Sequence, residues 1–553
     1  MIITANLADC FNRTVYPAEI TCIDGRIQGI RRISEQEIPE NPPFIIPGFV
    51  DAHIHIESSM LVPSAFARMA VVHGTVATVS DPHEIANVCG LSGVDFMIED
   101  GKRTPFKFNF GAPSCVPATV FETAGASLDS ADVERLLDRP EIRYLSEMMN
   151  FPGALHGDPE VLTKIEAARL RGKPVDGHAP GLRGEDARRY IARGMSTDHE
   201  CFTADEALDK LSAGMKILIR EGSAARNFEA LAPLLHDHWD MMMFCSDDKH
   251  PDSLAAGHID RLCAQAADLG VEWFKILQVA CVNPVLHYKL DVGLLRTGDP
   301  ADFVLIDDLH SFHVRETWIN GRCVAKHGQS LLEKIDIPGE SIVNRFDCMP
   351  VTPEDFRVSV TVSEWPLPVI EALDGQLITG SLALQPGRNG DEWISDPDHD
   401  VLKIVVVNRY QQAPVARAFI RGFGTKQGAL ASSVAHDSHN IVAVGVDDAS
   451  IARAVNLVIQ ERGGVSCVAG DSELVLPLPV AGLMSTDDGY KVAEAYTNID
   501  LMAKAAGSTL GSPFMTLSFM ALLVIPSLKL SDFGLFDGQA FRFISDPEGK
   551  PID

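Results

Sequence analysis

The stretch FIIPGFVDAHIHIE, residues Phe44–Glu57, reads as an apolar strand that closes on His53-Ile54-His55. Side chains in a strand alternate between its two faces, so His53 and His55 share a face and can converge on one ion. Alone the pair says little, because a strand histidine is ordinarily a satisfied core residue. Its weight comes from four later strand-like segments, which end in Glu147, His178, His199 and Asp247. Imidazole and carboxylate are the ligand set of Zn, Mn or Fe centres, and such centres activate water.

Outward from this stretch, strands and helices alternate from residue 48 to about 289, the pattern of parallel βα units. Eight strands are expected: Phe49–Ile54, Thr75–Ser80, Phe106–Phe110, Ile142–Met148, Pro174–Gly177, Met195–Thr197, Met215–Ile219 and Met241–Cys245. Helical stretches such as Val62–His73, Ser130–Leu137, Pro159–Arg171 and Glu185–Arg193 lie between them. Eight units predict a (β/α)8 TIM-like barrel, whose chemistry belongs at the carboxyl ends of the strands, where all six polar candidates lie. Residues 1–47 alternate as strands, with a hairpin turn at Asp24-Gly25. Residues 290–337 return to β character and are expected to pair with them in a small composite β-sandwich module. A proline-containing join (Pro338, Pro350, Pro353) leads to a C-terminal α+β domain over 350–553, with strands at Leu402–Asn408 and Ile441–Val446 and a helix at Asp448–Glu461.

At 553 residues the chain exceeds one ordinary core, and its 46% hydrophobic and 22% charged residues are those of a globular protein. A formal net charge of -29 disfavours nonspecific association with nucleic acid or anionic membrane. The eleven cysteines never form CxxC, which fits a reducing cytoplasm better than a disulfide scaffold. Met1-Ile2-Ile3 opens directly into a strand without a leader pattern, and no spanning segment is read. No GxxxxGK[ST] is present, so no nucleotide cofactor is expected.

The stretches VDAHIHIESSM (Val50–Met60), GTVATVSDPHEIANVCG (Gly74–Gly90), DGHAPG (Asp176–Gly181), CSDDKH (Cys245–His250), SVAHDSHNIVAVG (Ser433–Gly445) and SPFMTLSFMALL (Ser512–Leu523) resemble the bacterial-type adenine deaminases of the amidohydrolase superfamily. The resemblance covers nearly the whole chain. It implies two divalent ions, manganese first, with iron and zinc as alternatives. His53, His55 and Asp247 would hold the more buried ion and His178 and His199 the second. Glu147 would bridge them, in place of the carbamylated lysine of many superfamily members. Asp247 is preferred to its neighbour Asp248, because adjacent strand residues point oppositely.

The implied reaction is attack of metal-activated water on C6 of adenine, giving hypoxanthine and ammonia in purine salvage. Asp247 is the expected acceptor of the water proton and donor to the departing amine, and Glu84 the carrier of the N1 proton or a partner of the base edge. His199 could steady developing charge. Asp81, His83 and Glu84 of the DPHE turn are expected to contact the base, although Asp81 before Pro82 also has the form of a helix cap. Arg220 to Ser223 face the mouth, as a rim salt bridge or a contact. His236-Asp237-His238 falls at the wrong end of the barrel for a metal, and His436 to Asn440 reads as a polar turn that could close the pocket or an interface. Two other readings stay open: a hydantoinase- or dihydropyrimidinase-like enzyme opening a cyclic amide, and a non-catalytic barrel scaffold. A homodimer is the expected assembly.

Overall fold

Residues 1–360 and 366–544 are described by a computed structural model. Its centre is the expected barrel. Strands β1 (Phe49–Ile54), β2 (Thr75–Ser80), β3 (Lys107–Ala112), β4 (Ile142–Met148), β5 (Val175–Gly177), β6 (Thr197–Asp198), β7 (Lys216–Arg220) and β8 (Met242–Cys245) form one parallel sheet in sequential order. β1, β2 and β8 are buried at every position, as a parallel sheet flanked on both faces requires. The seam closes beyond β8. Asp247 N–H donates to the His53 carbonyl at 2.9 Å, and His55 N–H donates to the Asp247 carbonyl at 3.4 Å. The barrel therefore shuts at the very residues expected to hold metal.

Gly48 sets how close β1 lies to β2. A Cβ there would come within 2.4 and 2.5 Å of the two γ-methyls of Val76, a buried β-branched side chain with little freedom to yield. Gly48→Ala is expected to cost about 1–3 kcal/mol of stability, the range for overpacking. It should also weaken metal retention, because the displaced strand carries His53 and His55. Thermal unfolding and metal content of the variant check both.

The termini of the barrel segment join a second sheet of eight strands. Phe44–Pro47 runs parallel to Ile2–Asp9 on one side and antiparallel to Phe303–Ile306 on the other. The first and third portions of the chain are thus interleaved around a cluster that includes Leu7, Ile20, Ile45 and Phe303. The hairpin turn falls at Asp24-Gly25, both at positive φ.

The tail forms a mixed eight-stranded sheet in which Leu402–Val407 and Ile441–Gly445 are antiparallel neighbours. Helix Asp448–Gln460, capped by Asp447, covers one face of that sheet. Helix Gly489–Ala505 packs on the barrel helices Pro63–Ala70 and Pro251–Ala256, where Tyr496 and His250 hydrogen-bond at 2.6 Å. No helix among the described residues is long and apolar enough to cross a membrane.

Candidate metal centre and active site

Each expected ligand is buried at the carboxyl end of its strand. The alternation that predicts the histidine pair holds one layer deeper. Asp51, on the same face of β1, accepts from His258 Nε2 at 2.8 Å and from the Ser246 N–H at 3.0 Å, tying β1 to the end of β8 beneath the site. Above it, His53 Nε2 and His55 Nε2 are 3.2 Å apart. Asp247 Oδ1 lies 3.6 Å from the first and 3.3 Å from the second. His199 stacks on His53 with ring centroids 4.1 Å apart.

Glu147 stands between two groups of imidazoles. Its Oε1 is 3.3 Å from His55 Nε2, while its Oε2 is 2.6 Å from His178 Nδ1 and 3.2 Å from His199 Nε2. Buried triads overlap here: His53, His55 and Asp247; His53, Glu147 and His199; His178, His199 and Glu200. Nitrogen and carboxylate oxygen packed this closely suit divalent cations. The residues present fit a metal centre.

The electrostatics are those of a tightly coupled cluster: against burial, Asp247 and Glu147 push the pKa of His55 up, Glu200 and Glu147 that of His178, and Glu147 and Glu200 that of His199. Burial alone would raise the carboxyl pKa of Glu147, but the charge of His178 and hydrogen bonds from His178, His199 and His55 outweigh it and hold the group well below the usual range. Burial likewise opposes ionisation of Asp247, and Arg220 with the neighbouring imidazoles keeps it an anion. Burial lowers the pKa of His53 with help from His199, favouring the neutral ring that a ligand requires.

Asp247 sits at φ +54°, left-handed backbone that a non-glycine residue adopts at a cost. The turn places its carboxylate beside His53 and His55. Its Oδ2 accepts from Arg220 Nη1 at 2.7 Å. Asp248 also lines the cavity, but its Oδ1 accepts from the Ser58 hydroxyl at 2.5 Å and lies 3.8 Å from His436 Nε2. Arg220 is therefore no rim residue: it is buried and paired with Glu200 as well as Asp247.

The DPHE turn opens the helix His83–Cys89 beside the centre. Asp81 Oδ1 accepts from the His83 N–H at 3.1 Å, and the Asp81 carbonyl is 3.2 Å from His55 Nδ1. Asp81 thus lies behind His83 rather than on the cavity wall. The Asp81 and His83 side chains approach to 3.1 Å between Oδ2 and Nδ1 without hydrogen-bond alignment. His83 and Glu84 do line the cavity. Both Glu84 oxygens accept from tail residues 352 and 355 positions away, one from His436 Nδ1 and the other from His439 Nε2 at 2.5 Å. Burial opposes the Glu84 charge, but His436, His83 and His439 hold it well below the usual carboxylate range.

Glu200 and the roles of Leu377, Phe519 and Leu522 escape the sequence reading, whereas the turn at His436 to Asn440 is legible there as one that could close the pocket. Glu200 belongs to the centre, 3.3 Å from His199 Nε2 and 3.7 Å from His178 Nδ1. The tail also supplies the roof, where His436 stacks on Phe519 and Leu377 and Leu522 complete the wall. Lys529, fully buried, donates to the carbonyls of Leu377 at 2.6 Å and Phe519 at 2.9 Å and so fastens the roof segments together. The cavity these residues line is narrow, about 20 Å³, room for one water and not for a bicyclic base. A larger cavity of about 380 Å³ opens at the other end of the barrel beside Lys107 and Asp291, away from every candidate. His236 and His238 lie on a short helix outside the centre.

A family model described as amidohydrolase family matches residues 44–324, and one described as adenine deaminase C-terminal domain matches residues 376–542. The adenine deaminase of Salinibacter ruber is 55% identical over 544 residues, 98% of each chain. That of Sulfurovum sp. is 53% identical over 545 residues, 98% of this chain and 99% of its own. Among solved structures, a β-aspartyl dipeptidase from Fervidobacterium islandicum aligns at TM-score 0.46 and 14% identity, over 61% of this chain and 100% of its own.

Proposed function

The chain belongs to the adenine deaminase family of the amidohydrolase superfamily, and from that premise we propose that its buried imidazole–carboxylate centre binds two divalent ions and converts adenine to hypoxanthine and ammonia. The observation that carries the reading is the division of Glu147 between His55 on one oxygen and His178 with His199 on the other. His53, His55 and Asp247 are assigned to one ion, His178 and His199 to the second, and Glu147 to both. Manganese is the proposed occupant, with iron or zinc admitted by the same donors. Such ions, when bound, lower the pKa of water to ~7 and so supply a nucleophile at neutral pH.

The protein's own groups then manage protons. Attack at C6 breaks the aromaticity of the ring, so N1 must gain a proton. The amine must leave as ammonia, because amide ion is too basic to depart. Asp247 is an anion fixed by Arg220, and is assigned to accept the proton of the attacking water and return it to the amine. Glu84 faces the cavity with His436 on one oxygen, and this pair is assigned to deliver the N1 proton and to recover one from the C6 hydroxyl as the amine departs. His199, stacked on His53 and facing Glu147, is assigned to steady the charge that develops. His83 is assigned to the base edge, with Asp81 holding it in place. Entry of the base requires the Leu377–Phe519–Leu522 roof to lift, and its return excludes bulk water from the reaction.

Ammonia release from adenine, adenosine, hydantoin and dihydrouracil tests the reading. Adenine alone is expected to be hydrolysed at an enzymic rate. Ring opening of either cyclic amide in preference to adenine would overturn it.

A further inference from the structure

Above the metal ligands, the cavity wall holds a carboxylate oxygen that nothing among the described residues satisfies. Asp437 is 3% exposed, and its Oδ2 has no hydrogen-bond partner among the described residues. A buried acceptor left unpaired costs free energy that a bound donor would recover. The residue is held by its neighbours rather than free to seek a partner. The His436 N–H donates to the Ser518 carbonyl at 3.0 Å, the Tyr410 hydroxyl donates to the Ser438 carbonyl at 2.6 Å, and the His439 N–H donates to the Ala435 carbonyl at 2.8 Å.

Its position relative to the centre is set by His83. One nitrogen of that ring, Nδ1, lies 3.5 Å from Glu147 Oε1, and the other, Nε2, lies 3.8 Å from Asp437 Oδ1. Asp437 is therefore one imidazole ring further out than the bridging carboxylate. Glu84 stands at a similar remove, 3.4 Å from His83 Nε2, but both its oxygens are taken by histidines.

Adenine has to present C6 and its amine to the ligands. The part of the base then directed away from them is the five-membered ring, whose one N–H is its only donor. We infer that Asp437 of the tail domain accepts this imidazole-ring N–H and is the residue by which the enzyme selects a free base over N9-substituted adenines. The inference rests on the adenine reading above. An N9 substituent removes the donor and leaves the carboxylate desolvated and unpaired, which is how a site built around a hydrogen bond rejects an analogue that lacks it. The tail domain thus contributes to substrate choice as well as to the roof.

The test compares adenine with 9-methyladenine in the metal-loaded wild-type protein, in Asp437→Leu and in Asp437→Asn, with metal content measured for each. Leucine has the same branched skeleton with two methyl groups in place of the oxygens, so it removes the acceptor and, being larger, makes no room for the methyl group. Wild type is expected to favour adenine by about 100-fold in kcat/KM. Asp437→Leu is expected to lose that factor on adenine, chiefly in KM, with 9-methyladenine unchanged within about threefold and metal content unchanged. Asp437→Asn keeps volume and one acceptor oxygen, and is expected to fall between. Adenine kcat/KM unaltered in Asp437→Leu, or equal losses on both substrates, would overturn the inference. If the leucine variant does not fold, Asp437→Asn that matches wild type on both substrates does the same. Wild type that fails on adenine itself sinks the parent reading along with this one, and is told apart because no variant is needed to see it.

Discussion

Asp247→Asn is expected to lower kcat on adenine by at least about 10³-fold, within the range that positioned acid–base groups contribute, in a protein that still folds. Asparagine keeps the volume and one oxygen, and the two main-chain hydrogen bonds that close the barrel at residue 247 do not involve the side chain. What disappears is the anion. Its Oδ1 faces His53 and His55 and its Oδ2 accepts from Arg220, so an amide can neither take a proton from water nor donate one to an amine. Metal content and circular dichroism of the variant separate a lost proton carrier from a lost ligand. Turnover within threefold of wild type in the reconstituted variant would remove Asp247 from the chemistry.

The second large effect concerns stability. Arg220→Met is expected to cost about 3–5 kcal/mol in the metal-stripped protein, because it leaves Glu200 and Asp247 buried without their cation. Replacing a buried ion pair by apolar groups can be neutral, but removing one partner strands the other. Bound divalent ions also neutralise these carboxylates, so the cost is expected to shrink when metal is present. Urea unfolding with and without metal measures the difference. Glu200→Gln added to Arg220→Met should recover part of the loss. A cost below about 1 kcal/mol in the stripped variant would mean that the pair is not the structural support of Asp247 described above.

The barrel was legible because two signals coincide: buried apolar runs of strand length, five of the eight leading to a polar residue of ligand type. Even β6, only Thr197–Asp198, is found by the His199 that follows it. The boundaries move by a residue or two where strands fray into loops, as in Phe106–Phe110, which is observed as Lys107–Ala112.

Glu200 was not legible for a specific reason. In extended chain, neighbours point oppositely, so placing His199 in the centre sends residue 200 away from it. The chain leaves the strand at Asp198, whose Oδ1 accepts the Glu200 N–H at 2.8 Å, and that turn brings both side chains to the cavity. Arg220 hides in the same way, since a charged residue at a strand end looks like a solvated rim until its two buried partners are known. The grip of His436 and His439 on Glu84 spans more than 350 residues, and no local pattern encodes it. A polar turn was readable there, but its partner was not.

The claim that metal held by Glu147 and its neighbours powers adenine deamination is tested most directly by titrating metal-stripped protein with Mn²⁺ while following ammonia release from adenine and ions bound per chain. Activity is expected to be absent at the start and to rise until about two ions are bound, with Glu147→Gln failing to bind the pair. Full ammonia release from the stripped protein, or from Glu147→Gln, would contradict the account.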